Sequence, residues 1–160
     1  MQEKTSPVFV VATANDVSSL PPEMLRKGRF DELFFVDLPD EEDRDVILKI
    51  HLSRYGRDPE TYVNDSWKDL LSATDGFSGA ELEQVVIDGL YRAFPEGREP
   101  LLDDYLAAAY HTVPLSSTME DKIESLRKWA RGRAISANGE PEGNQPKKEK
   151  ATRSRRRIMS

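Results

Sequence analysis

Cysteine is absent from the 160-residue sequence, which excludes disulfides, a thiolate nucleophile and cysteine-ligated zinc. None of the nine glycines is followed by lysine, so the phosphate loop G-x-x-x-x-G-K-S/T does not occur. Long apolar runs are missing as well. The run Val8 to Ala12 is too short for the apolar region of a signal peptide and far too short to span a bilayer. A soluble, cytoplasmic protein with no membrane span is therefore the expectation. Large apolar residues nearly vanish after Ala134, where Gly, Pro, Asn, Gln, Glu and Lys take over, a composition that cannot offset the entropy of ordering itself.

What is present is unevenly charged. Residues 138 to 160 hold seven cations and three acids, a net of +4, so the overall net charge of -6 leaves -10 for residues 1 to 137. An acidic body argues against wholesale nucleic-acid binding, because phosphate neutralisation needs a cationic face. Any such role falls to the tail "KKEKATRSRRR". That tail lacks interleaved aromatics, so stacking on single strands is not indicated, and terminal charge runs most often only solvate.

Two segments read as strands. "VFVVA", Val8 to Ala12, and "LFFVDL", Leu33 to Leu38, are apolar at consecutive positions, the pattern of parallel strands covered on both faces. The Pro-Pro-containing stretch between them suits a crossover better than a tight hairpin. Two such strands cannot form a doubly covered sheet by themselves, so the chain reads as the second half of something larger.

From Pro39 onward about five helices follow. Asp40 caps the first, with Val46, Ile47, Ile50 and Arg54 or Tyr55 at helical spacing. Ser66 can cap a helix carrying Trp67, Leu70 and Leu71. Ser78 with Glu81 is a capping box opening a helix whose stripe runs Leu82, Val85, Val86, Gly89, Leu90 and Ala93. Pro100 starts a helix through Tyr110, and Ser117 with Glu120 boxes a last one carrying Met119, Ile123, Leu126 and Ala130.

"VFVVATAND", then "LPPEMLRKGRFDELFFVDLPDEEDRDVILKIHL", then "TDGFSGAELEQVV" resemble consecutive signatures of the AAA-type ATPases, in that order and at the expected intervals. Together they cover about residues 7 to 94, and "DDYLAAAYHTVPLS" resembles that family's closing helix. The flavour is most similar to the AAA ATPases of cyanobacteria and plastids. The resemblance implies an α/β fold: the C-terminal part of a P-loop NTPase parallel sheet (residues 1–39), an α-helical lid (40–133) and a disordered basic tail (134–160).

It also implies roles. Asn15 matches the polar sensor that positions the attacking water and terminal phosphate, a task suited to an amide that donates and accepts at once. Arg26 and Arg29 match the paired arginine fingers, which reach the terminal phosphate of the neighbouring subunit's site. A planar fork of donors meets developing phosphoryl charge better than a point charge, so Lys27 between them reads as a bystander. His51 falls where the family places a histidine against the ribose or base. Gly79 and Ala80 fall where small residues let nucleotide approach a helix N-terminus.

The implied cofactor is ATP, with Mg2+ held by residues absent from this chain, because neither the phosphate loop nor the magnesium-binding acid pair is here. "LFFVD" only imitates the latter, since Leu38 stands where the water-polarising acid belongs. Hydrolysis by these residues alone is not expected. The implied partners are copies of itself in a ring, a hexamer, acting on a protein substrate the sequence does not identify. The alternative is a non-catalytic helical module that docks on a partner, with the basic tail binding that partner or nucleic acid.

Overall fold

The computed structural model describes residues 8–17, 20–21, 23–24, 29–64 and 66–138. Strand β1 is Phe34–Phe35, followed by helices α1 (Glu41–Arg54), α2 (Trp67–Ala73), α3 (Gly79–Ala93) and α4 (Leu102–His111). A short α5 (Leu115–Thr118), α6 (Glu120–Ala130) and strand β2 (Ile135–Ser136) complete the order. The fold is α/β: two parallel strands and a helical bundle between them in sequence.

The bundle core forms where four helices converge. Leu48 and Leu52 of α1, Trp67, Leu70 and Leu71 of α2, Leu82, Val85 and Val86 of α3, and Tyr105, Ala108 and Ala109 of α4 are all buried there. The α3 stripe is the expected one, and its capping box is complete: Ser78 Oγ accepts from the Glu81 amide, and the Glu81 carboxylate accepts from the Ser78 amide at 2.7 Å. α1 differs. Val46 and Ile50 are 54% and 56% exposed, whereas Arg44, Leu48 and Leu52 face the core. Apolar residues surround this helix, so periodicity alone could not choose between the two faces.

The helix expected to begin at Pro100 starts at Leu102. Its first turn is fixed by Asp104, which accepts from the Leu101 amide at 2.8 Å and from both Nη atoms of Arg98 at 2.6 and 2.9 Å. The Ser117–Glu120 capping box is not formed. Pro114 instead opens α5 three residues earlier, its carbonyl accepting from the Ser117 and Thr118 amides. Met119 then breaks the helix, and α6 begins without a side-chain cap.

The sheet also departs from expectation. Val8 to Ala12 form no strand among the described residues, for an extended segment needs a neighbouring ladder to join. β1 pairs instead with β2, from the far end of the chain. The Ile135 amide donates to Leu33 O and the Ala137 amide to Phe35 O, each at 2.8 Å. Residues 134–138, which composition assigned to the tail, are thus folded onto β1, and the remainder of that tail lies outside the described residues. Asp37 anchors the return: Arg127 Nε donates to it at 2.8 Å, and the Asp37 amide donates to Asn138 Oδ1 at 2.8 Å. Its carboxylate is thus engaged by α6.

Candidate functional site

Three of the six residues singled out by sequence lie on two helices that pack together, His51 on α1 and Gly79 and Ala80 on α3. Gly79 and Ala80 occupy the first two positions of α3. The capping box satisfies the Glu81 amide, and the Leu82 amide donates to Ser78 O at 3.0 Å, leaving the Gly79 and Ala80 amides without a partner among the described residues. A fifteen-residue helix concentrates its positive dipole end there. Gly79 has nothing within 4 Å of the position a Cβ would take, so its smallness leaves open space above the backbone.

His51 sits on α1 with its side chain only 14% exposed. Its Nδ1 is buried without a hydrogen-bond partner and stands 3.7 Å from Glu83 Oε1, one turn into α3. Glu83 is engaged elsewhere, accepting from Arg54 Nη1 at 3.0 Å and the Tyr55 hydroxyl at 3.1 Å. Burial and this hydrogen bond push the Tyr55 phenol up from its ordinary value. Sequence reasoning missed Glu83, although its place four residues after Gly79 puts it on the same helix face as the turn. The result is an imidazole facing the Glu83 carboxylate and, one turn back along α3, a helix start whose first two amides, unpaired among the described residues, suit an anionic group.

Of the other three, Asn15 and Arg29 are not shown in contact with them. Asn15 and Arg29 are exposed and, among the described residues, neither side chain makes a hydrogen bond or ion pair. Arg26 lies outside the described residues. No group of three or more His, Asp or Glu side chains among the described residues could hold a metal ion.

Comparison with known proteins gives concordant likenesses. The family model described as "ATPase family associated with various cellular activities (AAA)" matches residues 1–38. The AAA domain-containing protein ycf46 of Pyropia yezoensis is 48% identical over 139 residues, 86% of this chain and 28% of that protein. A proteasome-activating nucleotidase of Saccharolobus solfataricus is 31% identical over 120 residues, 75% of this chain and 29% of that protein. The chain thus spans little more than a quarter of the length of these curated relatives. The crystal structure of the FIGL-1 AAA domain in complex with ADP superposes with a TM-score of 0.51 over 71% of this chain and 42% of that one. At 20% identity that likeness bears on the fold, matching the helical bundle to the lid of such a domain.

Proposed function

The chain belongs to the AAA-type ATPases, as the C-terminal part of the core with its helical lid, and on that premise we propose that it supplies nucleotide-contacting and trans-acting residues to ATP hydrolysis in a cytoplasmic ring assembly. The observation that carries the reading is the start of α3, where the capping box leaves the Gly79 and Ala80 amides without a partner among the described residues, with His51 of α1 facing Glu83 one turn further along that helix. These groups would hold the nucleoside and its phosphates from the lid side, and ATP bound there would supply the phosphoryl group. On this reading the phosphate loop and the acids that hold Mg2+ would come from outside this chain.

Asn15 would orient the attacking water, and Arg26 and Arg29 would serve the neighbouring subunit's site. The exposure of Arg29 supports that direction, because a finger that acts across a boundary must be accessible to a neighbouring subunit. A guanidinium so placed stabilises charge that exists only in the transition state, which affects rate and not ground-state binding. In a protein joining this chain to an AAA phosphate-loop half, Arg29→Ala should slow ATP hydrolysis on the order of a thousandfold. Nucleotide Kd should stay within about twofold. Equal losses of binding and hydrolysis would sink the trans role.

A further inference from the structure

Arg44 lies on the buried face of α1, its side chain 6% exposed. Its Nη1 donates to Pro39 O and its Nη2 to Leu71 O, both at 3.3 Å, and Nη1 stands 3.2 Å from Asp75 Oδ1. Its Nε is buried with no partner. Stability alone does not account for a cation here. Burying a guanidinium is costly, and an apolar side chain would fill the same face beside Leu48 and Leu52 without that penalty. The Asp75 side chain is 82% exposed, so solvent screens the ion pair and leaves it little energy to offer.

What the guanidinium does supply is a fixed fork between three pieces of backbone or turn. Pro39 is the last residue before the Asp40 cap of α1, on the linker that leaves β1. The Leu71 carbonyl belongs to the last turn of α2, where a cation is favoured by the helix dipole. Asp75 begins the bend that delivers Ser78 and the free amides of Gly79 and Ala80. The far side of that bend is pinned by α5: the Ser116 amide donates to Gly76 O at 3.4 Å. Gly76 holds φ +73°, and a Cβ there would strike the Ser116 side chain. Phe77 plugs the bend into the core and Thr74 ties it to α2. Arg44 is thus the only one of these contacts that also reaches the linker from β1.

We infer that Arg44 is a positioning residue: it sets the turn Thr74–Ser78, and the α3 amides beyond it, relative to the linker that follows β1. The inference rests on the nucleotide reading of that helix start for its functional half. Its structural half stands on the contacts themselves.

Two variants separate the possibilities. Arg44→Met keeps the stem and loses every donor, while Arg44→Lys keeps the charge and loses the fork. Hydrogen exchange on this chain reads the turn directly through three bonded amides, Asp75 to Ser72 O, Phe77 to Thr74 O and Ser78 to Glu81. Arg44→Met should speed their exchange about tenfold and leave the amides of α4 unchanged, with Arg44→Lys in between. In the protein joined to a phosphate-loop half, the same variant should raise the nucleotide KM about tenfold with kcat within about twofold. Unchanged exchange at the turn, or equal acceleration throughout the helices, would overturn the inference. So would a loosened turn with an unchanged KM. Should the wild-type joined protein bind no nucleotide, the function proposed above falls and takes the functional half with it. The exchange data would still decide whether Arg44 holds the turn.

Discussion

At position 89 any side chain would collide with the ring of Tyr105, which lies against bare helix backbone there. Tyr105 in turn meets Tyr62 edge-on, ring centroids 5.3 Å apart, and burial pushes its phenol well above the ordinary value. Gly89→Ala brings two opposed effects: better helix propensity, about 1 kcal/mol, and overpacking, about 1–3 kcal/mol. The tyrosine is buried on all sides and has nowhere to go, so overpacking should win by about 1 kcal/mol in urea denaturation. A stabilised variant would mean that the ring moves freely. Asp104 offers a second check. Arg98 beside it holds its carboxyl below the ordinary 3.8, helped by the Leu101 amide and opposed by burial. A carboxylate whose folded pKa is depressed contributes stability that is complete above the unfolded value and is lost as pH falls through the folded one. Wild type should therefore melt higher than Asp104→Asn at neutral pH, with the gap closing below about pH 4. A gap independent of pH would exclude this carboxylate as its source.

Among the elements, α3 was the most legible in the sequence and β2 the least. α3 declares itself twice, by a capping box and by an apolar stripe with one unambiguous face, and both signals are local. β2 is two residues long, lies in polar sequence, and pairs with a strand about one hundred residues away, so nothing near it announces it. Beside that pairing Asp37 binds Arg127 of α6 through its carboxylate and Asn138 through its amide. Asp37→Asn should leave the core of α1 to α4 intact while releasing the return segment. Amides of Ile135 and Ala137 should then lose their protection against hydrogen exchange first. Protection unchanged at both amides would show that the backbone ladder holds β2 without the ion pair. Arg44 was missed for a different reason: set in an acidic first turn it reads as surface, although its spacing of four from Leu48 and eight from Leu52 placed it on the buried face.

The whole molecule is an unequal pair, a well-packed lid and a thin piece of sheet. The lid carries His51, Gly79 and Ala80, which the resemblance named and which lie on the packed helices α1 and α3. Asn15 and Arg29 stand exposed, and the proposed function assigns their use to the neighbouring subunit and the phosphate-loop half. On the proposed reading, sequence disclosed the local half of the candidate site. The geometry of the other half would be completed by a neighbouring subunit, which no single chain can encode in its own contacts. That division gives the central claim its test: mixing two inactive forms of the joined ATPase. One form carries Arg29→Ala, and the other keeps Arg29 but has its phosphate-loop lysine replaced. Neither should hydrolyse ATP alone, and the mixture should recover activity in proportion to the boundaries where an intact Arg29 faces an intact phosphate loop. A mixture as inactive as its parts would contradict the claim that this chain serves its neighbour's site.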